Sequence, residues 1–166
     1  MVSPELLRRY PFFAGFSHDE LEMLANLGEP MKVVAGEYLF HEGDTLDTFY
    51  LTVQGAVAAV MELTDRQTPH ALSDQLVGRV RTRDVVVSTV GPGEVLAWSA
   101  LVPPYLATSN AKTLTDCELV MFDAVELRHI FKADCKFGYR MLEKVAGVAR
   151  ERLRDMRLES LAQKAI

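Results

Sequence analysis

Cysteine, histidine and long apolar runs are all in short supply in this sequence, and each shortage removes a class of function. The 166 residues include two cysteines, Cys117 and Cys135. They are too few and too far apart for a disulfide scaffold or a paired-cysteine metal knuckle, so each reads as a small hydrophobe in a reducing compartment. The four histidines, His18, His41, His70 and His129, fall on different segments, with no His-x-His pair and no His-Glu-x-x-His spacing. A metal-dependent cupin-like enzyme needs such clusters, so no metal is expected, and His41 beside Glu42 reads as a surface pair. A nucleophile elbow, a Walker loop and a dinucleotide fingerprint are all missing, so neither catalysis nor a cofactor is expected. Residues 1–9 lack the apolar run of a secretion signal, and no segment approaches the roughly 20 apolar residues that cross a bilayer, so the expected setting is the cytoplasm with no membrane contact. Excess positive charge is lacking as well. At a net charge of −5 the chain has no general electrostatic reason to bind nucleic acid.

What is present is enough apolar material, 49% of residues, to fill a core without staples, and the length fits one domain over 1–166. Residues 1–30 read as N-terminal helices. Ser3, Pro4 and Glu5 form a cap with proline in the first turn, predicting a short helix over Leu6–Tyr10. Ser17 and Glu20 have capping-box spacing ahead of an apolar stripe of Leu21, Leu24, Ala25 and Leu27, and Gly28 and Pro30 end that helix. From Met31 to Asp123 short apolar runs alternate with turns at Gly36, Gly43 and Gly55, which predicts a sandwich, barrel or roll and argues against βαβ units. The polar stretch 64–84, with Arg79, Arg81 and Arg83, reads as a long hairpin connection holding a short helix near 71–77. Val85–Val90 resumes the strand pattern, and further strands are expected at 111–114 and 118–123.

Residues 124–166 read as C-terminal helices, a short one over 124–131 and a long one from Cys135 to about Lys164. In the latter, Leu142, Ala146, Ala149, Leu153 and Met156 recur at spacings of four and three, continuing to Ser160. That pattern is a heptad seam, and small Ala146 and Ala149 beside Gly147 would let two backbones approach. The stripe either packs on its own β region or makes a homodimer; the second is favoured because the helix is longer than the β region can cover. Leu158 and Leu161 lie off the seam. Arg150, Arg152, Arg154 and Arg157 are interrupted by Glu151, Asp155 and Glu159, which reads as a solvated face and not a phosphate track.

Five pieces in order, Phe12-Phe13-Ala14-Gly15-Phe16-Ser17, Gly36 through Asp44, Phe49 through Gly55, Gly91 through Leu96, and Thr115 through Leu119, make the chain similar to the cyclic nucleotide-binding domain family. This is the sensing half of bacterial catabolite-activator and fumarate-nitrate-type regulators. The resemblance implies a mainly β fold, a double-stranded β-helix or jelly-roll-like roll over 31–123, with a phosphate-binding cassette at 93–110. It implies ligand contacts from Gly93 and Glu94, from Val95, Leu96 and Ala97 at a helix start suited to an anion, and from the segment after them.

The family's phosphate-binding arginine falls on Ala107, followed by Thr108 and Ser109. Loss of that charge-assisted partner costs roughly 1.5–3 kcal/mol and counts against a cyclic nucleotide. Lys112 belongs to the next strand, and Arg79, Arg81 or Arg83 would reach in only if the connection folded over the pocket. Trp98, Pro103-Pro104 and Tyr105 make the cassette apolar. It either takes a mostly apolar effector, with Glu94, Ser99, Thr108 and Ser109 as polar contacts, or is filled by Trp98 and Tyr105. The first outcome implies a non-catalytic sensor that signals through the long helix, and the second a degenerate dimerising interaction module. Related regulators carry a helix-turn-helix domain where this sequence stops, at Ile166, so direct nucleic-acid binding by these residues is not expected.

Overall fold

The computed structural model describes residues 1–64 and 82–164. The expected helix over 71–77, with Arg79 and Arg81, lies outside the described residues. Ser3 Oγ accepts from Leu6 N–H at 3.2 Å and starts α1 directly after the cap, so the helix is Pro4–Arg8 and not the expected Leu6–Tyr10. A 3-10 turn at Pro11–Phe13 leads to α2 (His18–Leu27). Both halves of the capping box form there: Ser17 Oγ accepts from Glu20 N–H at 3.2 Å, and the Glu20 carboxylate accepts from Ser17 N–H at 2.6 Å. Leu21 and Leu24 face the core.

As expected, α2 ends ahead of Gly28 and Pro30, and these two residues also belong to strand β1 (Gly28–Val33). Proline is tolerated because β1 is an edge strand, pairing only with the last strand. There follow β2 (Tyr38–Phe40), β3 (Thr48–Gln54), β4 (Val57–Thr64), β5 (Thr82–Val90), β6 (Val95–Leu96), β7 (Asn110–Thr113) and β8 (Cys117–Asp123). Strand β5 starts at Thr82, ahead of the expected Val85, and Arg83 is in register with Leu63. The strands form two antiparallel sheets, ordered β1-β8-β3-β6 and β2-β7-β4-β5. Every connection except β4 to β5 passes from one sheet to the other, which rolls the chain into the expected jelly-roll-like double-stranded β-helix.

Aromatic side chains fill the interior. Phe12 and Phe13 of the N-terminal turn pack against Phe49 and Phe122 of the first sheet, with ring centroids between 5.0 and 6.3 Å apart. Asp123 accepts from Glu126 N–H at 2.9 Å and caps α3 (Ala124–Ala133). The last helix, α4 (Cys135–Lys164), buries Phe137, Met141 and Val145, a row one turn apart that faces the rest of the chain. Arg140 fastens the same half of α4 to the N-terminal region: it pairs with Glu20, donates to Gly15 O at 3.3 Å and lies over the Phe16 ring. The row buried within the chain is therefore not the seam through Leu142 and Ala146, both of which are exposed.

Candidate functional site

The cassette opens on the turn Gly91-Pro92-Gly93, where the backbone is already hydrogen-bonded. Gly93 N–H donates to Thr52 O at 2.8 Å, Glu94 N–H to Gly91 O at 3.1 Å, and Thr52 N–H to Glu94 O at 2.9 Å. Val95 and Leu96 then pair with Leu51 and Tyr50 of β3. Ala97 has φ of 58°, and only after it comes a 3-10 turn, Trp98–Leu101. The helix start expected at Val95–Ala97 is thus replaced by a two-residue strand and a left-handed residue, and the N–H groups of Gly93 and Glu94 are taken up within the fold.

Two expected contact residues are not among those lining the cavity beneath α4. Ser99 lies within the 3-10 turn and is buried. Tyr105 lies beneath the Arg128 guanidinium of α3, 4.1 Å from ring centroid to Cζ. Arg128 also donates to Ala100 O at 3.1 Å and approaches Asp47 at 3.4 Å, so it clamps both ends of the cassette loop to α3. Tyr105 therefore does not fill the pocket. Ala107 is 5% exposed. Its N–H donates to Asp44 O at 2.8 Å and its carbonyl accepts from Gly43 N–H at 2.9 Å, fixing the backbone where the resemblance implies an arginine.

The remaining cassette residues, Val95, Leu96, Trp98, Thr108 and Ser109, line a cavity of about 380 Å³ between the second sheet and α4. A bulge shapes its floor: the β4–β5 register passes from Ala59↔Ser88 to Val60↔Val86 and skips Val87. Adjacent Val87 and Ser88 both line the cavity as a result, which strict alternation would forbid. Phe40, Met61 and Val90 add apolar wall, and Ala149, Leu153 and Met156 of α4 form the cover. Phe40 stacks on Tyr50, whose phenol is pushed above its ordinary pKa by burial, with a hydrogen bond to Thr48 acting in the opposite direction.

Arg152 also lines the cavity, and its side chain is only 17% exposed. One nitrogen lies 3.4 Å from Glu94 Oε1 and another 3.5 Å from Thr89 O, while Glu94 Oε2 accepts from Gly91 N–H at 2.6 Å. Glu94 thus turns toward α4 and is not among the cavity's lining residues. It borders instead a second cavity of about 390 Å³ on the other flank of α4, with Pro11, Phe12, Glu143 and Lys144. The reading of Arg152 as part of a solvated face is corrected: it is the cation that α4 brings to the cavity. The signal was its position, eleven residues after Met141 in the buried row of α4, masked by charged neighbours on both sides. Of the expected seam, Ala149, Leu153 and Met156 touch the cavity; Leu142 and Ala146 do not.

No helix among the described residues is long and apolar enough to cross a membrane. Comparison with curated proteins gave no match. Among solved structures, the chain is similar to a protein from Geobacter metallireducens GS-15 described as cyclic nucleotide-binding, at 25% identity over 92% of this chain and 99% of that one, with a TM-score of 0.73. It is similar also to the N-terminal domain of a transcriptional regulator from Streptomyces coelicolor A3(2), at 24% identity, with 91% and 94% covered and a TM-score of 0.63. The Thermus thermophilus catabolite activator protein matches at 19% identity and a TM-score of 0.63, covering 93% of this chain and 63% of that one. The sequence profile of the cyclic nucleotide-binding domain matches residues 30–134, from β1 through the end of α3, and the chain belongs to that family of regulatory domains.

Proposed function

We propose that this chain is a non-catalytic sensor: a small effector occupies the cavity beneath α4, and α4 transmits the occupancy to a second copy of the chain. The observation that carries the reading is the division of labour along α4. Its first half is anchored by buried Phe137, Met141 and Val145 and by Arg140, whereas its second half supplies the cavity cover through Ala149, Arg152, Leu153 and Met156. Filling the cavity then bears on the second half, which is held by its cavity contacts and by the long Arg152 contacts to Glu94 and Thr89. A ligand shifts the helix only to the extent that it prefers one placement over the other, and contacts with the cover provide that preference.

The effector is not an ordinary cyclic nucleotide in this reading. Ala107 offers no guanidinium, the N–H groups of Gly93, Glu94 and Ala107 are bonded within the fold, and Glu94 is held by Gly91 and Arg152 and does not face the cavity. Native mass spectrometry of the protein from its own host tests the proposal, alongside the variant Ala149→Trp, which plugs the cavity. The expected outcome is a small molecule that co-purifies with the wild-type chain and is lost from the variant, together with slower hydrogen exchange in the second half of α4 when it is bound. An empty wild-type protein whose α4 exchange responds neither to cyclic AMP nor to a metabolite extract overturns it in favour of an interaction module without a ligand.

A further inference from the structure

We infer that the effector is an amphipathic organic monoanion, a single carboxylate on an apolar body, with Arg152 as its receptor. The inference rests on the cavity being the effector site and names the chemistry of what enters. Among the described lining residues the walls are almost wholly hydrocarbon and aromatic, the hydroxyls are those of Ser88, Thr108 and Ser109, and the one cation is Arg152. No carboxylate is among them. A guanidinium presents five N–H donors in a rigid fork that fits a carboxylate at two points. Here two nitrogens are engaged, at 3.4 and 3.5 Å, both beyond the usual range for a charge-assisted hydrogen bond. Arg152 is thus largely withdrawn from water and loosely held, a poor arrangement for a buried charge until a better acceptor arrives.

The site limits both the charge and the body of that acceptor. With half-exposed Glu94 released to solvent, the one cation among the described lining residues balances a single negative charge; a dianion would leave an uncompensated charge in an apolar cavity. Sugar and base would bring several polar edges, against three hydroxyls to receive them. A hydrocarbon or aryl body meets Trp98, Met61, Val87 and Leu153 instead. On binding, the guanidinium exchanges Glu94 for the ligand carboxylate, so the ligand breaks the α4-to-cassette ion pair as it makes its own.

The test is calorimetric titration of the full chain at neutral pH with phenylbutyrate and its amide, and with decanoate and decanol, using cyclic AMP for comparison. Each acid should bind about ten- to a hundredfold more tightly than its neutral counterpart, the range set by charged hydrogen bonds. Arg152→Gln should bring the acids down to the level of the neutral compounds and leave those unchanged. Glu94→Gln, which removes the competing carboxylate, should tighten acid binding several-fold, and circular dichroism should show both variants folded. Equal affinity of acid and neutral compound in the wild type, or an equal loss of both in Arg152→Gln, overturns the inference while leaving a sensor for a neutral ligand. Preferential binding of cyclic AMP overturns the ligand class. Failure of every compound to bind wild type and Glu94→Gln alike overturns the carboxylate inference, and an empty native protein would sink the sensor reading separately.

Discussion

Gly55 turns the chain from β3 into β4 with φ of +92°, and a Cβ there would stand 2.4 Å from Asp116 O and 2.6 Å from Cys117 Sγ. Gly36 has nearly the same φ, +88°, with nothing within 4 Å of the added carbon. The two positions separate backbone strain from collision. Gly36→Ala is expected to cost about 1 kcal/mol, the left-handed penalty alone, and Gly55→Ala about 3 kcal/mol or more, because the β8 turn must move; urea midpoints measure both. The sequence marks each as a turn glycine, but it does not rank them, because the atoms that crowd Gly55 come from the far end of the roll. Tyr50 gives a pH-dependent counterpart. Burial raises its phenol pKa in the folded state, so the unfolded chain loses its proton first as the medium becomes alkaline. Its contribution is therefore complete below about pH 10, the unperturbed tyrosine value, and falls as pH rises through the folded value. Tyr50→Phe should flatten the alkaline limb of the stability profile relative to wild type, and parallel limbs would show that Tyr50 plays no part in it.

At the scale of elements, the N-terminal caps and the α2 stripe of Leu21, Leu24 and Ala25 were readable, and the buried face of α4 was not. Ser3, the Ser17–Glu20 box and the run from Cys135 to Lys164 fix their helices through local chemistry, and the structure keeps them. In α4 two rows compete, Phe137-Met141-Val145 and Leu142-Ala146-Leu153; both have helical spacing, and only the packing partner decides which is buried. The cassette start failed for a related reason. Val95 and Leu96 have no local signal against a helix, but β3 offers them a ladder, and left-handed Ala97 then stops any helical continuation. What orders the rest of the cassette is Arg128, unread in the sequence because its three partners, Asp47, Ala100 and Tyr105, are scattered along the chain. Arg128→Ala should cost about 1–3 kcal/mol, a charged hydrogen bond and a cation–π contact together. It should also raise hydrogen exchange across 97–106 with little change in α2. Uniform acceleration throughout the chain would mean that the clamp serves global stability and has no local role in the cassette.

For the whole molecule, the question is what covers the outer face of α4. Leu142 is 40% exposed, Leu153 49% and Met156 45%, although the last two also border the cavity. A second copy laid along this face would bury the exposed part of Leu153 and Met156 and complete the cavity wall, so self-association and effector binding would share residues. Sharing makes the two processes thermodynamically linked: if dimerisation tightens effector binding by some factor, the effector must tighten dimerisation by the same factor per linked site. Leu142→Glu with Ala146→Glu isolates the interface, because both side chains face outward and neither lines the cavity. In sedimentation across a concentration series, the wild type is expected to reach a dimer that the double variant does not form, since charges facing each other across the seam repel and lose apolar contact. Effector bound to the variant should be weaker by the factor by which effector strengthens the wild-type dimer. A wild-type chain that stays monomeric at every concentration removes the seam as an output. A variant that dissociates yet binds effector with wild-type affinity leaves the dimer intact as a fact but breaks its coupling to the cavity, and α4 would then have to report occupancy to something other than its own copy.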